Sequence, residues 1–434
     1  MPTSDVPPVS SVIRSSPSHS LAAERPVYDS TFWFCYVANC SLMVAVSLLF
    51  RYADLVRFLG GSEMDLGLIV GVGMLGALAT RVVQGIGIDR LGAKRIWTVS
   101  LLLFASSTLA HLAITRVNGP EIYLARICLT TSIAGSFGSS LTYVSLRAPQ
   151  RRMAETIGVL GTSGFIGLAL GPTLGDFFLA GDDIVWPQLA RLLIAAAALS
   201  LVALGFVLGI ANPPRRSRIR SLPIFAVLRR YHPGWMLLVA ATVGLVLGLP
   251  NTFLNAYAHE LGLVRIKVFF LVYAATALVV RIRFRQLVDR WGVLPAIQWG
   301  LGSAILSVVS YLLVWNEWSL AVPAVFAGTA HALLFPAVIA GGNASFPARY
   351  RGISTTLMLA MFDVGNLIGQ PSMGGLIELA RHLGLPPYAV MFTTVAMVLL
   401  TVACVYGLFS HERPSRRRRR AMATADPPLP RQDV

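Results

Sequence analysis

The segment Gly85–Arg95 reads GIGIDRLGAKR, and it recurs in altered form as Arg285–Gly292, RQLVDRWG, 200 positions later. Both copies keep Asp-Arg-x-Gly, as Asp89, Arg90 and Gly92 and as Asp289, Arg290 and Gly292. Arg81 and Arg281 repeat at the same shift. A further echo, shifted by 198, sets Gly167 and Gly171, followed by Pro172, against Gly365 and Gly369, followed by Pro371. Each echo falls at the same place within its half. Several echoes in register imply one architectural plan used twice.

The solvent identifies that plan. Of 434 residues, 55% are hydrophobic and only 13% are charged, and the mean hydropathy is +0.67. A soluble fold of that composition could not solvate its surface. In lipid, a helix needs about 20 apolar residues to cross the hydrocarbon. Runs of that size recur near 31–53, 64–88, 96–116, 121–146, 154–180, 187–210, 235–258, 266–283, 295–315, 318–341, 353–378 and 387–409. They predict an all-α integral membrane protein of twelve transmembrane helices in two pseudo-symmetric six-helix bundles.

The loops between the runs alternate in charge. One side carries Arg90, Lys94 and Arg95, then Arg147, Arg151 and Arg152, then a basic stretch from Arg215 to Arg230, and finally the run Arg416–Arg420. The other side mixes Arg51, Arg57 and Arg381 with Asp54, Glu63, Asp65 and Glu260. The positive-inside rule then places both termini in the cytoplasm. The predicted domains are a disordered tail over 1–30, a first bundle over 31–210, a basic linker over 211–233, a second bundle over 234–410 and an Arg-rich tail over 411–434. Within the linker, Leu222–Arg230 predicts one amphipathic surface helix. No apolar run occupies the first thirty residues, so no cleavable signal peptide is expected. The basic loops and tail account for the net charge of +16 and call for anionic lipid rather than nucleic acid. The four cysteines, Cys35, Cys40, Cys128 and Cys404, form no metal or disulfide pattern.

In this setting Gly85–Arg95 resembles the signature loop of the major facilitator superfamily, G-x-x-x-D-R-x-G followed by basic residues. Gly85, Asp89, Arg90, Gly92, Lys94 and Arg95 match, while Ala93 stands where another basic residue is usual. The resemblance covers roughly 31–410. It implies that Asp89 faces the positive end of the eleventh helix and ties the halves together on the cytoplasmic side. Gly167, Gly171, Pro172 and Gly175 resemble the fifth-helix motif of the antiporter branch, which includes drug and metabolite exporters, although Asp176 replaces the usual last glycine. The same small residues, with Gly365 and Gly369, also read simply as close helix packing.

Charges within spans are costly and therefore informative. Asp363 lies about ten residues into the eleventh span, roughly 15 Å deep, and Arg81 lies eight residues before Asp89. Since the family packs the second helix on the eleventh, Arg81 and Asp363 are expected to pair as a gate. Two other readings stay open for Asp363, as a proton carrier and as one member of a permanent structural pair. Arg126 either snorkels to the interface or faces an anionic substrate group. Asn39, Asn251, Asn255, His331 and Asn366 fall on helices that line the family's cavity and are candidate substrate or proton sites. His111, on a peripheral helix, is not.

No nucleophile elbow, phosphate-binding loop or metal-ligand cluster is present in the sequence, so an enzyme or ATP-driven pump is not expected, nor any cofactor or metal. The expected function is secondary active transport of an organic small molecule across a bacterial-type inner membrane, with protons as coupling ion and export by antiport. Uptake of a sugar or organic acid is the alternative, and a non-transporting sensor or scaffold is the alternative of another class. The chain is expected to act as a monomer.

Overall fold

The computed structural model describes residues 28–147, 152–179, 184–212, 224–284, 292–347 and 350–411, with the backbone alone at 82–90, 153–155, 224–226, 351 and 410–411. Among these residues the regular structure is entirely helical. In chain order the helices are α1 (Ser30–Leu48), α2 (Tyr52–Phe58), α3 (Glu63–Leu91), α4 (Ala93–Ala110), α5 (Pro120–Arg147), α6 (Met153–Phe178), α7 (Trp186–Gly209), α8 (Ile224–Arg230), α9 (Met236–Glu260), α10 (Lys267–Arg283), α11 (Val293–Ser310), α12 (Ala321–Asn343), α13 (Arg351–His382) and α14 (Pro387–His411). Short 3-10 turns join several of them.

Ten of the described helical segments are long and apolar enough to cross a membrane. Each of the twelve predicted runs corresponds to a helix, but α5 and α10 fall outside the ten. The reasons differ, composition for α5 and length for α10. Helix α5 carries Glu121 and Arg126 and eight serine and threonine side chains, and α10 is 17 residues long with Lys267, Arg281 and Arg283. Helix α5 packs on α3 and α4, and α10 packs on α12 and α6. The short helix α8 occupies the position expected for a surface helix.

Helix pairing repeats between the first and last six long helices. Helix α1 packs on α6 and α7 as α9 packs on α13 and α14, and α3 and α4 pack on α5 as α10 and α11 pack on α12. Two seams join the sets, α3 against α13 and α6 against α10, and they are equivalent under the repeat.

The sequence echoes mark the tightest contacts. A Cβ added at Gly167 would lie 2.5 Å from the main-chain carbon of Met43 on α1, and one at Gly171 2.6 Å from that of Ser47. Gly365 meets the backbone of Ala241 on α9 in the same way. Small residues every fourth position thus let α1 approach α6, and α9 approach α13. Gly92 and Gly292 cap the starts of α4 and α11 with φ of 89° and 88°. Side chains rarely tolerate that left-handed backbone, which accounts for a glycine at this position in both copies. The next residue, Ala93, is almost fully buried, so a cation there would lose its hydration. Lys94 instead donates to the carbonyls of Ile210 (2.5 Å) and Leu208 (3.0 Å) at the end of α7, where a cation complements the helix dipole.

Gly167→Leu should lower the midpoint of thermal unfolding in detergent by several degrees, since overpacking costs about 1–3 kcal/mol. Gly164→Leu, at a position with nothing within 4 Å of a Cβ, should leave it nearly unchanged. Equal shifts for the two variants would contradict the close-approach account.

Candidate functional site

The α3·α13 seam contains a buried ion pair. Arg81 and Asp363 meet through Nε and Oδ2, and Nη2 donates to Oδ1 at 3.3 Å. Asp363 is 8% exposed, and it lies twelve residues into α13, roughly 18 Å along its axis. A lone charge at that depth costs several kcal/mol. Two-pronged contact with a guanidinium offsets much of that cost and fixes the angle of approach. The pair joins the first set of helices to the second.

The equivalent α6·α10 seam is built differently. Arg281 repeats Arg81, but the position 198 before Asp363 is Phe165. The Arg281 guanidinium lies over the Phe165 ring at 5.5 Å and beside Gly161. Phe165 also meets His331 of α12 edge-on at 5.9 Å. His331 Nδ1 is 2.5 Å from the Tyr273 hydroxyl of α10, and its ring is 5.9 Å from Phe335. Phe335 then reaches Phe362 at 5.6 Å, next to Asp363 in sequence. An aromatic ladder thus runs from one seam to the other. Arg281, His331 and Phe335 are only partly buried.

At the far end of the bundle from Gly92, a second set of charges spans the seams. Arg51 pairs with Asp54 at 2.5 Å and with Asp176 at 3.0 Å, and it donates to the Val264 carbonyl at 3.2 Å. The other Asp176 oxygen accepts from the main-chain N–H groups of Ile266 (3.1 Å) and Lys267 (2.9 Å). Asp176, on α6, therefore caps the start of α10 across the seam, where the helix dipole favours an anion. Nearby, Arg381 pairs with Glu63 at 2.7 Å and Glu260 at 3.1 Å. These are the residues that sequence reasoning missed. The departure from the glycine motif at Asp176 was the available signal.

The other expected residues divide. Asn39 is held within the first set, donating to Ser163 at 2.7 Å and accepting from Ser140 at 3.3 Å. Asn251 bonds to its own helix at Leu247. Asn255 is 4% exposed, with no partner for Nδ2 among the described residues. Asn366 donates to Phe362 and accepts from Gln370 at 2.9 Å, and Gln370 is itself fully buried. Arg126 stacks over Tyr52 at 4.4 Å. The Gly85, Asp89 and Arg90 side chains lie outside the described residues, as do the basic stretch 213–223 and the run Arg416–Arg420. Among the described residues no cluster of His, Cys, Asp and Glu is suited to hold a metal.

The repeated pairing and two cross-seams have a counterpart in known sequences, since the family model described as Major Facilitator Superfamily matches residues 32–369. The chain belongs to the Major Facilitator Superfamily. It is 25% identical over 304 residues to a probable nitrate/nitrite antiporter of Thermus thermophilus, covering 66% of this chain and 67% of that protein. It is 22% identical over 389 residues to the staphylopine export protein of Staphylococcus aureus (strain Mu50), covering 86% and 94%. In fold it is similar to a nucleoside transporter, with TM-score 0.73, 14% identity and coverage of 88% and 99%. It is also similar to a D-xylose–proton symporter, with TM-score 0.67, 15% identity and coverage of 86% and 96%. The chain is therefore a multi-pass membrane transporter of this family, and a small-molecule substrate follows from that membership.

Arg81→Ala leaves Asp363 buried without its partner, a change costing about 3–5 kcal/mol when the charge persists. The swapped variant carrying both Arg81→Asp and Asp363→Arg should recover much of the thermal stability lost in each single variant. Strictly additive losses in the double variant would show that the two side chains do not stabilise each other.

Proposed function

We propose that this chain exports an organic small molecule in exchange for protons, by alternating access between two six-helix halves divided at the 211–233 linker. In this reading α5 and α10 complete twelve spans, both termini are cytoplasmic, and the Gly92 end of the bundle faces the cytoplasm. The observation that carries the proposal is the Arg81–Asp363 pair. It places a carboxylate, the one kind of group there that can take up a proton as pH falls, at the contact between halves. Protonation removes the countercharge that holds α3 to α13 and so weakens the seam. Asp363 thus combines gate and proton carrier. Asp89, by its resemblance to the family signature, reinforces the same closure nearer the cytoplasm.

The opposite end supplies the complementary closure. Asp176 on the start of α10, Arg51 on the Val264 carbonyl and Arg381 on Glu63 all cross between halves. Opening towards the outside requires all three to separate. Export, rather than uptake, is supported by the Gly167–Gly175 motif and by two relatives, a probable nitrate/nitrite antiporter and the staphylopine export protein. The protein is placed as a monomer in a bacterial inner membrane, with anionic lipid at its basic loops and tail.

The direction is tested in inside-out vesicles made acidic inside. An exported compound added outside should discharge the proton gradient, read by recovery of acridine orange fluorescence, and Asp363→Asn should abolish that response. Compound-dependent deepening of the gradient in wild-type vesicles would instead establish symport.

A further inference from the structure

The two seams repeat each other in backbone and differ in charge. At α3·α13 the arginine has its carboxylate, Arg81 with Asp363. At α6·α10 the repeated arginine meets a phenyl ring, because Phe165 stands in the place of that carboxylate. Among the described residues Arg281 has no acidic partner. The next acid along its own segment is Asp289, eight residues on. A guanidinium stays ionised at any physiological pH, so neutralisation by losing its proton is not available to it. A membrane-embedded cation requires a counter-anion, and none is present at this seam among the described residues.

The surroundings specify what completes it. Arg281 lies partly exposed at the contact between halves. Gly161 leaves the space beside its Nη1 free of side chain. The Phe165, His331 and Phe335 rings continue from it, each edge-on to the next. The Tyr273 hydroxyl, about two turns before Arg281 on α10, is bonded to His331. A planar guanidinium binds a planar oxyanion through two parallel N–H groups, and aromatic rings take up the flat remainder of a ligand.

We infer that Arg281 binds the anionic group of the transported molecule, a carboxylate carried on a flat or unsaturated organic body, at the α6·α10 seam. The inference rests on the transport reading. It adds that Asp363 and Arg281 are the proton and substrate halves of one duplicated device. The substrate restores at one seam the charge balance that Asp363 provides at the other. Loading then draws α6 and α10 together while protonation releases α3 from α13. That relation couples the two events without direct contact between them.

The test uses the purified full chain in lipid nanodiscs and reads thermal unfolding at constant ionic strength with benzoate, nitrate and benzamide as probes. Benzoate should raise the midpoint in a saturable way, and neutral benzamide, of the same shape, should not. Nitrate acting as well as benzoate would remove the organic body from the assignment and overturn that part of it. Arg281→Gln should weaken benzoate binding by about tenfold or more, the worth of a charge-assisted contact. Phe165→Asp rebuilds at α6·α10 the pair found at α3·α13. It should abolish benzoate binding while keeping an unfolding midpoint at or above wild type, so loss of folding is not mistaken for loss of the site. Equal response to benzoate and benzamide, no response to either, or an unchanged benzoate response in Arg281→Gln or Phe165→Asp would overturn the inference. Asp363→Asn separates the two readings, since it should bind benzoate and yet fail to discharge a proton gradient. A variant at Arg281 that transports normally would sink the substrate assignment and leave proton-coupled export standing.

Discussion

A charge in the middle of a bilayer has to be answered by another charge, and this protein is arranged around that requirement. Arg81 and Asp363 answer each other across the contact between helix sets. Neither is tolerable alone at that depth, so their union fixes how α3 lies against α13. In the proposed cycle the same union makes the contact sensitive to a proton. A wholly apolar seam would be as tight, but nothing in solution could open it. The cost of desolvating two charges is what allows a weak chemical signal to move a large interface.

Packing supports that pair from behind. Gly167 and Gly171 bring α6 onto α1, and Gly365 and Gly369 bring α13 onto α9. Each seam helix is thereby backed by a partner in its own set with main chains nearly in contact. A helix so held moves with its set rather than bending by itself, which is what rigid rocking of one half against the other needs. At the far end the glycine run stops at Asp176, which crosses the seam to cap α10. Close packing within a set thus gives way to a polar contact between sets over one turn of α6.

The two ends of the molecule differ in kind. Towards the Gly92 end the cross-seam charge among the described residues is one pair, Arg81 and Asp363, 15% and 12% exposed at the side chain. At the other end Arg381 is 42% exposed and shared between Glu63 and Glu260. Exposed pairs are weak and screened by salt, whereas Arg51 and Asp176, both about 4% exposed, form the firmer part of that closure. The stronger contact is also the one that uses a helix terminus, where the backbone supplies half of the partner.

Much of the architecture was legible in the residues alone. Apolar runs of spanning length placed the helices, because lipid demands continuous apolar surface. The echoes of Gly92 in Gly292 and of Gly167 in Gly365 revealed the duplication, because left-handed turns and main-chain contacts accept glycine and little else. Asp363 and Arg81 stood out as charges too deep to be incidental. The sequence did not disclose which helices α5 and α10 pack against, since polar content looks the same facing a neighbour or a cavity. It did not disclose that Asp176 reaches the start of α10, ninety residues away, or that Asn39 is consumed in a local network with Ser163 and Ser140. Those are properties of distance between segments remote in the chain. Composition determined the solvent, the helices and the repeat, because those depend on runs and periods within one strand of sequence. Only the tertiary structure decided which charges are answered and which, like Arg281, have no acidic partner among the described residues, because a counterion is defined by what lies across the seam.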